Sequence, residues 1–288
     1  MAAAVQTDSG EDEQQGKELP QVPFGPHSVS RLIVGGNPIT AGSHLSKLLD
    51  MHMHEYFTPD RVMGLLRHCE EEGINTWQSS GPVALDYYRR YRAEGGTIQY
   101  IALERDDPKR PDAIQQAVAA GAIGIAHHGE VTDSSFKAGK IDEIRDFLKR
   151  VRDAGVQVGL STHMPAVIEY VEENGWDVDF YMACVYERHR TEAELKQLLG
   201  YVPIPVREVY LAEDPPRMCE VLRQTDKTCL AFKILAAGRL CRDPKTVAQA
   251  FASTFGDIKP TDAVIVGMYP RFTDQVAENA ALTRKYGA

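Results

Sequence analysis

Four times in the middle of this chain a glycine stands between an amphipathic stretch and a short apolar run. The runs are Gly73-Ile74-Asn75-Thr76-Trp77, Ala120-Gly121-Ala122-Ile123-Gly124-Ile125, Ala154-Gly155-Val156-Gln157-Val158-Gly159-Leu160 and Asn174-Gly175-Trp176-Asp177-Val178-Asp179-Phe180. A glycine just past a helix adopts the left-handed conformation that ends it without a Cβ penalty. The apolar, β-branched run that follows reads as a parallel strand covered on both faces. Helix starts are marked too. Thr58-Pro59, Asp214-Pro215 and Asp243-Pro244 each put a capping residue before a first-turn proline, and Thr191-Glu192-Ala193-Glu194 is a capping box.

Extended along the chain, the pattern predicts eight strands, near residues 31–35, 74–77, 98–103, 122–127, 156–160, 178–184, 228–233 and 262–267. Helices are expected after them, near 59–72, 84–94, 109–119, 140–153, 165–173, 215–225, 244–255 and 272–286. Eight alternating βα units in 288 residues favour an α/β fold closed into a (β/α)8 TIM barrel. A doubly wound open sheet is the alternative, because hydrophobic periodicity does not report closure.

The barrel is expected to occupy residues 21–288 as one domain. Residues 1–20 contain Glu11-Asp12-Glu13-Gln14-Gln15 and too little apolar surface to offset ordering entropy, so they read as a disordered acidic tail. A formal net charge of −9 argues against nucleic acid or an anionic membrane as partner and leaves a small-molecule substrate. No apolar run approaches the roughly 18 residues of a spanning helix, and the start lacks the apolar stretch of a secretion signal. Five cysteines (Cys69, Cys184, Cys219, Cys229 and Cys241) without CxxC spacing suit reduced thiols and a cytoplasmic location.

In such barrels the reacting groups sit where strands end and βα loops begin. The polar residues there are Asn37, Gln78, Glu104, His127, His128, Thr162, His163, Tyr186, Lys233 and Arg239. His127, His128 and His163 fall at two neighbouring strand ends, and imidazole both titrates near neutrality and ligates metals. Adjacent strand residues point to opposite faces, so one of His127 and His128 should face the mouth and the other the helices. Glu104 with His128 and His163 makes a candidate divalent-metal set. An ion pair of Glu104 with Arg105 or Lys233 is the plainer expectation. Lys233 interrupts the apolar run Leu230 to Leu235 and needs a carboxylate partner, a lowered pKa or an anionic ligand. Met51-His52-Met53-His54-Glu55-Tyr56 reads as a loop after strand one.

The order of several segments resembles the aldo-keto reductase superfamily over nearly the whole chain. Val22 to Gly25 and Val29 to Gly36 look like its opening hairpin and first strand, and Gly73 to Trp77 like its second. His127 matches the strand-four histidine, Gly159-Leu160-Ser161-Thr162-His163 is similar to its Gly-x-Ser-Asn segment, and Val264 to Gly267 with Gln275, Glu278 and Asn279 resembles its last strand and helix. The resemblance implies a barrel and an NAD(P) cofactor whose adenosine end is held by Arg271, Gln275, Glu278 and Asn279.

The family's catalytic tetrad, in contrast, is mostly absent. Its Asp position reads Gln78, its Tyr position falls near Val83, its Lys position reads Glu104, and its nicotinamide-contacting Asn reads Thr162. Only His127 remains. The sequence therefore favours acid/base or metal-assisted chemistry by His127, His128, His163, Lys233 and Glu104. A polar carbonyl or carbohydrate-like substrate would be held by Asn37, Gln78, Thr162, Tyr186 and Arg239, in a lyase, isomerase or hydrolase step. An NAD(P)H-dependent reductase with a histidine as proton source is the second expectation, and a non-catalytic ligand-binding barrel the third.

Overall fold

The computed structural model describes residues 18–206 and 208–288, so most of the expected acidic tail lies outside the described residues. Leu19, inside the range read as tail, is buried against the core. Strands β1 (Gln21–Phe24) and β2 (His27–Ser30) pair as an antiparallel hairpin. Eight further strands, β3 (Leu32–Gly35), β4 (Thr76–Ser80), β5 (Gln99–Glu104), β6 (Ala122–His127), β7 (Gln157–Thr162), β8 (Phe180–Cys184), β9 (Thr228–Phe232) and β10 (Ala263–Gly267), run parallel and close into a barrel. The closing pair is β10 against β3, in register from Val264 opposite Leu32 to Gly267 opposite Gly35. Closure rules out the open-sheet alternative.

Helices cover the barrel: α1 (Lys47–Tyr56), α2 (Pro59–Glu71), α3 (Gly81–Ala93), α4 (Ala113–Ala119), α5 (Gly129–Lys137), α6 (Arg145–Asp153), α7 (Pro165–Glu173), α8 (Glu192–Leu199), α9 (Asp214–Gln224), α10 (Pro244–Asp257) and α11 (Gln275–Tyr286). The Thr58, Asp243 and Thr191 caps form as the sequence suggests, each side chain accepting from a first-turn amide. Among the described residues, no helix is long and apolar enough to cross a membrane.

Alternation sorts the side chains into two cores. Ile33, Ile101, Phe180, Met182 and Leu230 fill the barrel together with Val22, Phe24 and Val29 of the hairpin. Leu32, Tyr100, Ile125, Leu160 and Tyr181 meet the helices. The interior is crowded enough to demand glycine on β7, since a Cβ on Gly159 would lie 2.2 Å from the Phe180 ring.

Two expectations are corrected. Met51 to Tyr56 is not a loop but most of α1, capped by Ser46. On a helix, side chains two positions apart diverge, so His52 and His54 cannot share a ligand. The second correction concerns β6. Its pairing with β5 skips a residue, Tyr100 facing Ala122 and Ile101 facing Gly124. This bulge reverses the alternation after Ile123, so Ile125 and His127 point to the helices while Ala126 points inward.

Candidate active site

The loops at the C-terminal strand ends carry two buried polar networks, one centred on Glu208 and one on Asp133. Lys233 follows β9 directly, where a left-handed φ of 60° turns the chain out of the strand. Its Nζ lies 3.0 Å from Oε2 of Glu208. The same carboxylate accepts from Tyr186 Oη at 2.8 Å and lies within ion-pair distance of Arg188 Nε at 2.7 Å and of His44 Nδ1 at 3.0 Å. Burial opposes ionisation of Glu208, but the His44 contact and the Lys233 and Arg188 cations outweigh it and hold the carboxyl well below its usual range. Burial draws the Lys233 ammonium below its ordinary value against the opposing pull of Cys184 and Glu208. The other ring nitrogen of His44, Nε2, lies 3.0 Å from Asn37 Nδ2.

The second network lies between α5 and the end of β7. Asp133, 1% exposed, accepts from Thr162 Oγ1 at 2.5 Å and from His163 Nδ1 at 2.7 Å. His189 Nε2 stands 3.7 Å from the same carboxylate. Burial raises the Asp133 pKa to about 6, lowers that of His189 to about 4, and puts His163 well below the imidazole range. His163 also packs edge-on to Phe232, ring centroids 5.4 Å apart.

Beside these networks a cavity of about 690 Å³ runs from the barrel mouth to the gap between α10 and α11. Its inner end is lined by Gly35, Asn37, His44, Gln78, Phe232 and Lys233, and its outer end by Arg242, Gln275, Glu278, Asn279 and Lys285. Phe232 lines the cavity and touches His163, so it separates the two regions. Nε2 of Gln78 is buried at this inner end without a hydrogen-bond partner.

The structure divides the residues expected from sequence. Lys233, Asn37, Gln78, Gln275, Glu278 and Asn279 meet at the cavity. His163 joins Asp133 instead. His127 leaves the site: the β6 bulge turns it onto Phe147, ring centroids 4.9 Å apart, with Nδ1 2.8 Å from Thr132 Oγ1. His128, which caps α5, has Nδ1 buried and unpartnered, and burial lowers its pKa.

Glu104 follows Tyr100 and Ala102 onto the helix side of β5, where Arg110 grips both its oxygens at 3.1 Å. Its partner is therefore neither Arg105 nor Lys233, and the metal set of Glu104, His128 and His163 is not assembled. Thr162 serves Asp133, and Tyr186 lies behind Lys233 on Glu208. Arg239 folds back on the Ala236 carbonyl at 3.0 Å. Arg271 is exposed and bonds Tyr269 Oη at 3.4 Å, outside the cavity.

His44, Asp133, Arg188, His189 and Glu208 were not legible as site residues. Arg188 and His189 lie just beyond Tyr186 in the loop after β8, and that nearness to a strand end was the one available signal. Glu208 reaches the site from an irregular segment at φ 62°, which no periodicity announces.

No protein-family model and no curated protein matches the sequence. Solved structures do match. The glycerol dehydrogenase AKR11B4 from Gluconobacter oxydans aligns with a TM-score of 0.54 at 13% identity, over 92% of this chain and 90% of that one. The chain shares the closed (β/α)8 barrel of that structure. The apo form of Gox0644 aligns with a TM-score of 0.52 at 10% identity, over 91% of this chain and 87% of its own. At such identities the likeness concerns backbone only, and function has to be argued from the site.

Proposed function

We propose that the chain is an oxidoreductase that uses a nicotinamide dinucleotide on a polar carbonyl or carbohydrate-like substrate, with Lys233 handling the proton that a tyrosine handles in its fold relatives. The cavity carries this reading. Its lining includes both Lys233 and Lys285, and its volume lies in the range of cofactor sites. Gln275, Glu278 and Asn279 line the end where the family resemblance expects adenosine.

A bound nicotinamide would supply hydride chemistry at the substrate carbon. The protein's part is the oxygen. Lys233 donates a hydrogen bond to the carbonyl oxygen and gives up a proton as alkoxide character develops, and burial of the ammonium brings its pKa closer to that task. Glu208 fixes the direction of Nζ, and His44 with Asn37 lines the path by which Lys233 regains its proton. Gln78 Nε2, a buried donor with nothing to bond, supplies a second contact for a substrate oxygen.

Fluorescence titration with NADPH and NADH tests the proposal. Binding of either in the micromolar range is expected, weakened at least tenfold in Asn279→Ala and retained in Lys233→Met, which loses turnover. Absence of binding at millimolar cofactor would sink it. The missing tetrad and the buried amine of Lys233 favour one other reading, a lyase, isomerase or hydrolase acting through the same residues without hydride. Activity on a carbonyl or sugar substrate with no nicotinamide present would select it.

A further inference from the structure

From the second network we infer a divalent-cation site formed by Asp133, His163 and His189, suited to a borderline metal of the zinc type. One ligand atom from each residue lies within 4.8 Å of the other two. Two imidazole nitrogens and a carboxylate oxygen are a set that zinc-class ions take, and three protein ligands leave a position open for water. In a tetrahedral site with bonds of about 2.0–2.1 Å, ligand atoms stand about 3.4 Å apart. The Asp133 to His163 separation of 2.7 Å and the Asp133 to His189 separation of 3.7 Å bracket that figure.

Three features separate this from an ordinary buried hydrogen bond. Nε2 of His189 is buried and has no hydrogen-bond partner, a costly arrangement that a cation at this point would relieve. The His163 backbone N–H donates to both Asp133 oxygens, Thr162 Oγ1 donates to Oδ1, and Oδ2 is the oxygen nearest both imidazoles. A hydroxyl that fixes the non-ligating oxygen is the usual outer support of a metal carboxylate. Finally, the rings of His163 and His189 stand nearly perpendicular, 87° apart with centroids at 5.0 Å, so the two imidazoles reach the carboxylate in different planes. The site differs from the Glu104 set expected from sequence, and Phe232 separates it from the cavity of the proposed oxidoreductase reaction.

Chelator-treated protein, dialysed against zinc or cobalt(II), tests the inference by metal analysis and by the visible absorption of bound cobalt. About one ion per chain is expected, with a higher unfolding temperature. His189→Ala keeps the fold, because Nε2 bonds nothing, but should lose affinity by at least about tenfold. Thr162→Val should weaken binding by about 10–100-fold through the loosened carboxylate. Glu104→Gln should bind as the wild type does. No bound metal at millimolar zinc, or unchanged affinity in His189→Ala, overturns the site. Neither readout involves nicotinamide, so the oxidoreductase proposal stands or falls separately.

Discussion

Lys233 and Glu208, whose charged groups meet at 3.0 Å, both hold left-handed backbone conformations, with φ of 60° and 62°. Such conformations cost a non-glycine residue on the order of 1 kcal/mol and concentrate at functional sites. Two strained residues joined by a buried ion pair mean that the surrounding packing imposes the geometry. Lys233 also lines the cavity, which ties the strain to the site.

Glu208→Gln leaves Lys233 and Arg188 buried without their shared anion. Removing one partner of a buried pair costs about 3–5 kcal/mol, so this variant should unfold at clearly lower denaturant than the wild type. Substituting the exposed Asp86, which pairs with Arg89 on the surface, should change stability by less than about 1 kcal/mol. Equal effects of the two substitutions would show that the Glu208 network is solvated.

His127 should make the fold acid-sensitive. Its pKa is lowered by burial from 6.5 to about 4, so below pH 6.5 the unfolded chain takes a proton that the folded one refuses. Stability should therefore fall as pH drops from about 6.5 to about 4, by up to about 1.4 kcal/mol per pH unit, and this contribution levels off below that. His127→Gln removes a titrating group that lies outside the cavity. Denaturant unfolding across this range should show a shallower decline for the variant; parallel curves would contradict the assignment.

Glu104→Gln separates the helix side of the barrel from its mouth. The carboxylate is held by Arg110, so the change should cost about 1–3 kcal/mol of stability. Cofactor affinity should stay within twofold in a fluorescence titration. A tenfold loss would place Glu104 back in the site.

Gly159→Ala puts a Cβ 2.2 Å from the Phe180 ring and should destabilise by about 1–3 kcal/mol. Combined with Phe180→Leu, the penalty should shrink, because the smaller side chain vacates the contact. A thermal-unfolding double-mutant cycle measures the coupling.

The strand–helix order, the three helix starts at Thr58, Thr191 and Asp243 and the barrel class were legible in the sequence, because each depends on neighbours a few residues away. Cavity-lining Asn37, Gln78 and Lys233 were legible for the same reason, as polar interruptions at the ends of apolar runs. His127 and Glu104 were also strand-end residues, yet they face the helices. For Glu104 the face is set by its parity with Tyr100, and for His127 by a bulge in the β5–β6 pairing, which a periodic reading of β6 alone does not contain. Glu208 meets Lys233 across 25 positions and Asp133 meets His163 across 30. Local pattern thus marked the eight strands and where they end, but not α1 or α5, which lie in stretches it read as loops. The facing of each strand-end side chain, and the partners of Lys233 and His163, were decided by register and loop packing, which bring distant residues together only once the barrel is closed.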